Sequence, residues 1–489
     1  LMRPTLLLSL LLLALPVLAA AEPPGKGIAF TRCQLAHPIT SSRVPARCGV
    51  LEVPEDWTRP GGRRIGLRVA VVPSDNPRAQ PDPVFVLAGG PGQAITEVYP
   101  RIAFAFERLG RDRDIVLVDQ RGTGGSNGFT CAAFGGKARD DDLLPGDARK
   151  AAAECARALS EKADLTRYGT ADFVRDLDAV REALGYPRVN LIGASYGTRA
   201  ALAYARAFPA RTRTLVLDGV APFQMIIAND FDRDSQRALD ILFERCAAEP
   251  ACRARYPELA ADVRSLLARL DARPETVRIR HPVTAEPVEL RVTGDHARQV
   301  LLAFLYQPET AALLPPLIRE AKAGDLGPLA AQGILATADI QAGMSRPLQL
   351  SVVCSEDVPL FEDPAPGAAP TFLGNAARDA FRSLCADWPR ATPDPAFHQA
   401  PRMEVPALLL SGRGDPVTPP RWGDVAAASL PAARHLVVGG AGHGVLHRGC
   451  IPRLVAAFVK KGSADALDTA CAERIAPSPI FLDLQGGAP

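Results

Sequence analysis

The chain has 489 residues, of which 47% are hydrophobic and 22% are charged, and its formal net charge is +2. This is the composition of a globular protein with a large core, and the length allows two or three domain-sized units or one large domain with an insertion. A charge so near zero gives no indication of binding to nucleic acid or to an anionic membrane surface, so we expect no nucleic-acid partner.

The first residues have the pattern of an export signal. Arg3 supplies a positive charge, an apolar run follows over residues 6–18, and residues 19–21 are three small alanines suited to cleavage. The run is shorter than the ~20 residues that a membrane span needs. We therefore predict a signal peptide over residues 1–21 and an exported protein, periplasmic or secreted, with no stable membrane span after its removal.

Short apolar runs alternate with helical patterns between residues 67 and 220. This alternation predicts an α/β fold with a mostly parallel sheet flanked by helices, because strands that are buried on both faces are apolar throughout. The predicted strands are 67–72, 84–87, 115–118, 189–192 and 215–217, with helices such as 171–184 and 200–208 between them. Further strands at 407–410 and 435–438 precede a predicted helix over 452–460.

Two glycine-rich segments follow predicted strands of this sheet. Gly193-Ala194-Ser195-Tyr196-Gly197 is a Gly-x-Ser-x-Gly turn, which strains its serine and exposes the hydroxyl, so Ser195 is the candidate nucleophile. Ala88-Gly89-Gly90-Pro91-Gly92 lets the backbone approach a substrate closely. We predict an oxyanion hole formed by the N–H groups of Gly90 and Tyr196. A phosphate-binding loop is discounted because no Lys-Ser/Thr follows the glycines.

A region of different character separates the two blocks of strands. Residues 222–402 are rich in helix formers, with predicted helices at 235–248, 259–270, 297–306 and 311–323 and a predicted strand pair at 277–280 and 288–292. Because the sheet pattern resumes afterwards, we favour a mostly helical cap inserted over the sheet edge where such folds bind ligands. An independent helical domain is the alternative. The core that contains the sheet would then comprise residues 22–221 and 403–489.

A serine nucleophile needs a base and an orienting acid, which in folds of this type follow it in the order serine, acid, histidine. His443 is the preferred base because it lies in a loop of small residues after the last predicted strand; His447 and His435 are the alternatives. Asp415 is the preferred acid because it lies just past a predicted strand. Asp218 is its rival for the same reason, although a turn-capping role also explains that residue.

The chain has ten cysteines, an even number that suggests disulfides in an exported protein. The connectivity stays open on sequence grounds. The simplest hypothesis pairs neighbours in sequence, and a metal site is disfavoured because there is no Cys-x-x-Cys pair and no histidine at ligand spacing. The neighbour pairs are Cys33–Cys48, Cys131–Cys155, Cys246–Cys252, Cys354–Cys385 and Cys450–Cys471.

Together these motifs resemble a known family of hydrolases. Segments 88–92, 119–126 and 193–197 are similar to those of proline iminopeptidases, and the segments around Asp415 and His443 resemble the secreted tripeptidyl aminopeptidase branch with its distinct carboxyl-terminal region. The resemblance implies an α/β-hydrolase fold and a serine peptidase that acts on peptides with a free N-terminus through an acyl-enzyme, without metal or other cofactor. Ala88 departs from the family, whose members commonly have histidine there.

An aminopeptidase must recognise a protonated amine, and a carboxylate in the cap is the natural means. The segment Cys354-Ser355-Glu356-Asp357 resembles the acidic cap segment of the secreted branch, so Glu356 is the preferred amine-binding residue and Asp357 the second. A solvated acidic turn is the structural alternative. Two other functions stay open: an esterase or amidase for small molecules with the same catalytic residues, and a binding protein without catalysis.

Overall fold

The site is built on a nine-stranded sheet. The computed structural model describes residues 27–37, 40–135, 148–341, 343–465 and 467–487, so the predicted signal peptide lies outside the described residues. The strands of the described ranges are β1 (Thr31–Ala36), β2 (Arg43–Pro54), β3 (Arg64–Val72), β4 (Val84–Leu87), β5 (Ile115–Val118), β6 (Val189–Ala194), β7 (Thr212–Asp218), β8 (Glu275–Arg280), β9 (Pro287–Val292), β10 (Ala407–Gly412), β11 (Ala433–Val438), β12 (Phe481–Asp483) and β13 (Gly486–Gly487).

The helices fall into those that flank the sheet and those of the cap. The flanking helices before the cap are α1 (Ile95–Ile102), α2 (Glu107–Gly110), α3 (Ala132–Gly135), α4 (Ala148–Ser160), α5 (Thr170–Ala183) and α6 (Tyr196–Ala207). The cap helices are α7 (Phe231–Ala248), α8 (Pro250–Arg255), α9 (Leu259–Ala272), α10 (Gly294–Leu305), α11 (Pro308–Ala311), α12 (Leu314–Lys322), α13 (Gly327–Gln341), α14 (Arg346–Glu356) and α15 (Ala376–Cys385). After the cap come α16 (Pro420–Ala427), α17 (Ile451–Lys461) and α18 (Ala470–Glu473).

The strand order of the sheet is β1-β2-β3-β5-β4-β6-β7-β10-β11. The first four strands in this order pair antiparallel, and β5, β4, β6, β7, β10 and β11 are parallel to one another. Every strand predicted for the sheet is present, and the predicted α/β fold is confirmed. β1 and β2 were not predicted.

The apolar strands are buried on both faces of the sheet, which explains why their sequences show no alternation. Leu191 and Leu215 belong to a core that includes residues of α5 and α6. Their sequence neighbours Ile192 and Val216 belong to the opposite core, with residues of α1 and α17. Successive side chains of a strand point to opposite faces, so each strand supplies both cores.

The cap connects β7 to β10 and adds no strand to the main sheet in its described residues. Its helices enclose a separate apolar core that includes Leu239, Leu266, Leu301, Phe304 and Leu317. The predicted strand pair is present as the antiparallel hairpin of β8 and β9. Because the sheet resumes at β10 beside β7, the cap is an insertion between two halves of one sheet.

The helix predicted over residues 311–323 is present as α12, but it begins three residues later, at Leu314, and Ala311 is the last residue of the separate helix α11. Pro315 and Pro316 explain the later start, because proline lacks the N–H that a helix interior uses. A helix can begin at such a position but rarely passes through it.

All ten cysteines are paired, and the five bonds join the neighbours in sequence that the hypothesis proposed. The separations along the chain range from 6 residues for Cys246–Cys252 to 31 for Cys354–Cys385. Each bond therefore closes a local loop. Within the described ranges, no helix has the length and apolar character that a membrane crossing needs.

Candidate active site

Ser195 lies in a sharp turn between β6 and α6. Its backbone has φ +54° and ψ −124°, which residues other than glycine rarely adopt. The flanking glycines are required on steric grounds, because a Cβ at Gly193 would lie 2.3 Å from the Gly197 carbonyl oxygen and one at Gly197 would lie 2.4 Å from that of Leu87. The N–H of Ser195 donates to the Asp218 carbonyl at 2.8 Å, which helps hold the strained turn.

Ser195 lines a cavity of about 480 Å³ between the sheet and the cap. Gly90, Tyr196, Thr418 and His443 line the same cavity, whose size is typical of ligand pockets. The serine is only partly buried, and no hydrogen bond to another described residue occupies its hydroxyl. The hydroxyl is thus free to meet a bound molecule.

The structure brings His443 and Asp415 together. Nδ1 of His443 lies 2.8 Å from Oδ2 of Asp415, and Oδ1 of Asp415 accepts the N–H groups of Val417 and Thr418 at 2.9 and 2.8 Å. Oγ1 of Thr418 lies 2.7 Å from Asp415 Oδ2 and 3.0 Å from His443 Nδ1. Because Asp415 is only 1% exposed, these contacts fix the carboxylate and, through it, the imidazole.

The protonation of this pair suits a general base. Burial by itself raises the pKa of Asp415, but the charge and hydrogen bond of His443 and the neighbouring amides outweigh it and lower that pKa. Burial lowers the pKa of His443, but the charge and hydrogen bond of Asp415 and the charge of Asp218 raise it above the ordinary 6.5. An ionised carboxylate therefore faces an imidazole that takes up a proton readily.

The rival acid and the nearest rival base have different surroundings. Asp218 accepts the N–H groups of Val445 and Leu446 at 2.8 to 3.0 Å, so it fixes the loop that carries His443. Burial raises the pKa of Asp218 to about 6, against the effect of those amides. His447 does not line the cavity, and burial lowers its pKa.

A second serine, histidine and aspartate form a hydrogen-bonded chain elsewhere in the core. Nε2 of His435, the other rival base, lies 2.8 Å from Ser411 Oγ, and its Nδ1 lies 2.9 Å from Asp424 Oδ1. Ser411 is fully buried within β10 and does not line the cavity. A substrate carbonyl has no access to this hydroxyl, which separates Ser411 from Ser195.

The predicted oxyanion donors, Gly90 and Tyr196, line the cavity with Ser195. Tyr196 is the first residue of α6, and the N–H groups of a first helical turn have no acceptor within the helix. Gly90 has φ +109°, and a Cβ there would lie 2.8 Å from the Gly92 nitrogen, so only glycine fits. Gly89 lies close to the candidate nucleophile, since a Cβ at this position would lie 3.0 Å from the Cβ of Ser195. Oxyanion binding by these groups stays a prediction.

The two acidic residues predicted to bind an amine do not line the cavity. Glu356 is 5% exposed and accepts the N–H and hydroxyl of Thr170 at 2.7 and 2.8 Å; burial raises its pKa to about 7. The Thr170 hydroxyl lies 2.7 Å from that of Tyr196. Asp357 is fully buried in an ion pair with Arg199. This geometry favours a structural role for Asp357, while amine binding by Glu356 stays a prediction.

The cap holds the loop that carries His443. The Tyr306 carbonyl accepts the His443 N–H at 2.7 Å, and Gln307 Nε2 donates to the His443 carbonyl at 2.9 Å. The Tyr306 ring meets the imidazole edge-on, with centroids 5.2 Å apart. Arg448 donates to Gln307 Oε1 at 2.5 Å, and a Cβ at Gly442 would lie 2.4 Å from the Tyr306 oxygen. The position of the histidine thus depends on the cap.

Sequence reasoning missed three residues that support the site: Thr418, Tyr306 and Gln307. A local signal existed for Thr418, because aspartate in a turn commonly bonds to residues two and three positions later. Gln307 has no local signal, since it is 136 residues from its partner His443. Only the folded chain brings them together.

The described ranges contain no metal centre. No group of three or more His, Cys, Asp or Glu side chains among them is placed to hold an ion. Since every cysteine is in a disulfide, none offers a thiolate ligand.

Comparison with known proteins finds two matching families and several relatives of this chain. Residues 82–277 match the family described as alpha/beta hydrolase fold, and residues 369–471 match the family described as TAP-like protein. Serine protease Hip1 of Mycobacterium tuberculosis is 28% identical over 494 residues, covering 92% of each chain. Carboxylesterase B of the same organism is 30% identical over 481 residues, covering 87% of this chain and 88% of that one. Tripeptidyl aminopeptidase of Streptomyces lividans is 30% identical over 218 residues, covering 42% of this chain and 40% of that one.

Proposed function

This chain belongs to the α/β-hydrolase family and carries its TAP-like carboxyl-terminal region, and on that premise we propose that it is an exported serine aminopeptidase. It would release N-terminal residues, singly or as a tripeptide, from peptides with a free N-terminus. The observation that carries the proposal is the strained turn at Ser195, whose hydroxyl has no hydrogen-bond partner among the described residues. Ser195 lines the same cavity as His443, which is paired with Asp415. The five disulfides support export, since such bonds persist in oxidising compartments.

In this mechanism the Ser195 oxygen attacks the carbonyl carbon of the scissile bond, and Nε2 of His443 takes the hydroxyl proton. Asp415 holds the proton on Nδ1 and stabilises the imidazolium that forms. The N–H groups of Tyr196 and Gly90 would donate to the developing oxyanion. His443 then passes its proton to the leaving amine, and an ester links the acyl group to Ser195.

Hydrolysis of the acyl-enzyme by water completes the cycle and uses the same groups in the reverse order. His443 takes a proton from the water molecule, whose oxygen attacks the ester carbonyl, and it returns the proton to the Ser195 oxygen as the bond breaks. The released acid is the N-terminal amino acid or tripeptide. The cap over the cavity would limit the length of the acyl chain.

A panel of chromogenic aminoacyl and tripeptidyl anilides, each free and N-acetylated, together with uncharged short-chain esters, tests the proposal. We expect the free compounds to have a much larger kcat/KM, because an aminopeptidase requires the protonated amine. Equal cleavage of free and blocked anilides, or turnover of short-chain esters alone, would rule out the aminopeptidase.

The same panel needs a control for the nucleophile, and the chain supplies a matched one. Ser195→Ala is expected to lower kcat by ~10⁴-fold. Ser411→Ala removes a hydroxyl that also bonds to a histidine but lies outside the cavity, and it should keep the wild-type kcat. Activity near wild type in Ser195→Ala would assign the nucleophile to another residue.

An esterase or amidase for small molecules is the second candidate, and one observation favours it. None of the described residues that line the cavity is Asp or Glu, so a substrate amine meets no carboxylate on the cavity wall. Among the described residues, Thr170 and Tyr196 link the Glu356 side chain to the wall through hydrogen bonds. For this candidate, the panel would show faster cleavage of uncharged esters than of free aminoacyl anilides.

A further inference from the structure

We propose that Arg346 binds a carboxylate of the substrate, so that the cavity selects acyl or leaving groups that carry a negative charge. The inference rests on the proposed hydrolysis at Ser195 and adds to it the class of substrate. It applies to peptides and small esters alike, because it concerns the charge beside the reacting bond.

Arg346 is the first residue of α14 and lines the cavity that Ser195 and His443 also line. Its side chain is partly buried. Nη1 donates to the amide oxygen of Gln349, which is one turn further along the helix. This is the one hydrogen bond of the guanidinium to another described residue, and the acceptor is uncharged. The other guanidinium nitrogens have no hydrogen-bond acceptor among the described residues, and the residue lines the cavity.

The lack of a charged partner distinguishes the partly buried Arg346 from the buried arginines of the described chain. A buried cation loses its hydration, and proteins normally compensate with a carboxylate. The buried arginines elsewhere follow that rule, in the pairs Arg113–Asp82, Arg121–Asp176, Arg199–Asp357 and Arg378–Asp232. In the described part of the chain Arg346 forms no such ion pair. A carboxylate of a bound molecule could therefore pair with this guanidinium without competing with a carboxylate of the described chain.

Electrostatics in the cavity point the same way. Arg346 and the titrating His443 are the charged groups among the described lining residues, and no Asp or Glu opposes them. Burial lowers the pKa of Arg346, and no carboxylate acts against that effect. Arg206, Arg213 and Arg245 also have pKa values lowered by burial, but each has an acidic residue nearby that raises it. Among these four arginines, Arg346 is thus the one whose pKa no nearby carboxylate raises.

The surroundings of the guanidinium suit a carboxylate in particular. Its planar fork can donate two parallel hydrogen bonds to the two oxygens of one carboxylate. Much of the neighbouring wall is apolar, including Met344, Phe381 and Leu384, and such a wall strengthens a charge pair. Gln349 is 9% exposed and holds one end of the fork in place.

Two sources could supply the carboxylate: an acidic side chain of the substrate or the carboxyl terminus of a short peptide. The first arm of the test compares tripeptidyl anilides that differ only by Glu or Gln at one residue, with each position taken in turn. The second arm compares short peptides that have a free or an amidated carboxyl terminus. In each arm the quantity measured is the ratio of kcat/KM for the charged substrate to that for its neutral partner.

Wild-type protein should prefer the charged member of one arm, and the arm that shows the preference identifies the source. Arg346→Gln should reduce that ratio by roughly 10- to 100-fold, because a charge-assisted hydrogen bond is lost. Arg346→Lys keeps the charge without the fork and should retain part of the ratio. Arg402→Gln is the matched control, since that arginine is 71% exposed and pairs with Glu404 away from the cavity. Arg402→Gln should leave kcat/KM for both the charged and the neutral substrate at the wild-type value.

The proposal fails if wild type has a ratio near one in both arms, a result that does not depend on any variant folding. It also fails if Arg346→Gln keeps the wild-type ratio. If no substrate is hydrolysed, the proposed function is wrong, but carboxylate binding by Arg346 is still open to test. Calorimetric titration of Ser195→Ala with the same peptide pairs then measures that binding directly. Tighter binding of the charged peptide would support a carboxylate site at Arg346; equal affinity, or no binding of either peptide, would overturn it.

Discussion

At the scale of single residues, hydrogen-bond geometry does not by itself distinguish the two serines that have a histidine and an aspartate nearby. Ser411 has the closer contact to its histidine, at 2.8 Å, yet it lies inside a strand. Ser195 makes no such bond but is lifted out of the strand by a backbone with φ +54°. A nucleophile needs room for the acyl carbon and donors for its oxygen, and only the turn provides them.

The two candidate bases predict different pH profiles. We expect kcat/KM to fall on the acid side with an apparent pKa above 6.5, because His443 must be neutral to accept the serine proton and Asp415 raises its pKa. If His447 were the base, the midpoint would lie below 6.5, since burial lowers its pKa. The measurement is the pH dependence of kcat/KM with the best substrate of the panel, corrected for the titration of the substrate's own amine.

His447→Gln provides the control for this profile. It should leave the acid limb where it is in the wild type, since His447 does not line the cavity. A wild-type limb below 6.5, or a limb that disappears in His447→Gln, would contradict the assignment of His443.

The candidate site could be predicted from sequence where a motif carries its own geometry. Gly-x-Ser-x-Gly after a strand made Ser195 the candidate nucleophile, and the ends of later strands made Asp415 and His443 the candidate acid and base, which the structure places next to each other. The partners that position these groups could not be predicted, because Gln307 and Tyr306 reach His443 only through the packing of the cap on the core. That Arg346 has no carboxylate partner in the described part of the chain is likewise a property of the folded cavity alone.

At the scale of elements, the end of α10 acts as a support for the histidine loop. The chain leaves this helix at Leu305, and the next two residues bond to the backbone of His443 on both sides. The cap is further joined to the core by Arg421 of α16, which donates to Asp234 of α7 at 2.7 and 2.9 Å. Movement of the cap would therefore be transmitted to the base.

Removing one of these contacts should affect turnover more than binding. We expect Gln307→Ala to lower kcat by roughly 3- to 10-fold, the effect of one lost hydrogen bond, with a smaller change in KM. The reason is that the imidazole would lose alignment with Ser195, whereas the cavity wall would keep its other residues. Steady-state kinetics on the best anilide of the panel would measure both constants.

Gln34→Ala is a suitable control for that variant, because Gln34 is exposed on the edge strand β1, far along the sheet from the site. It should have wild-type kinetics. A Gln307→Ala protein with unchanged kcat and a raised KM would show that the residue serves binding and not the position of the histidine.

The elements that sequence predicted well are those with apolar character on both faces or strong helical periodicity. β4 and β5 have their predicted limits, since all four residues of each are buried. β1 and β2 were missed because their residues are largely exposed or partly buried. β1 is the edge strand, and β2, which contains Pro45 and Gly49, pairs with β1 over residues 43–48 and with β3 over residues 47–54, so most of it has a neighbouring strand on one side only. Edge strands tolerate such residues, so their sequences have little strand character.

At the scale of the whole molecule, the disulfides reinforce the parts separately. Two lie in the core before the cap, two lie within the cap, and one lies in the core after it. No cysteine is left over to link the cap to the core. The position of the cap on the sheet thus depends on hydrogen bonds, ion pairs and apolar packing.

The two disulfides of the cap should differ in their contribution to stability. Loops of 31 and 6 residues predict about 4 kcal/mol for Cys354–Cys385 and about 2 kcal/mol for Cys246–Cys252 in the chain-entropy model. Replacing each pair by alanine and measuring the free energy of unfolding in urea, without reductant, would compare them. All four cysteines are buried, so the cost of the substitutions themselves is similar.

Cys354→Ala/Cys385→Ala should accordingly be the less stable double variant. Equal losses for the two pairs would indicate that loop length does not set their effect and that packing around the sulfur atoms does. The same measurement on the wild type with reductant gives the sum of all five bonds.

The way the cap meets the histidine loop limits how such proteins can be recombined. A cap transplanted from another hydrolase would replace not only the pocket but also the carbonyl of Tyr306 and the amide of Gln307. The kcat of a chimera would therefore depend partly on the transplanted cap, even if the turn that carries Ser195 were unchanged. Exchange of substrate preference between relatives requires these two positions, with Gly442 and Arg448 opposite them, to be transferred as one block.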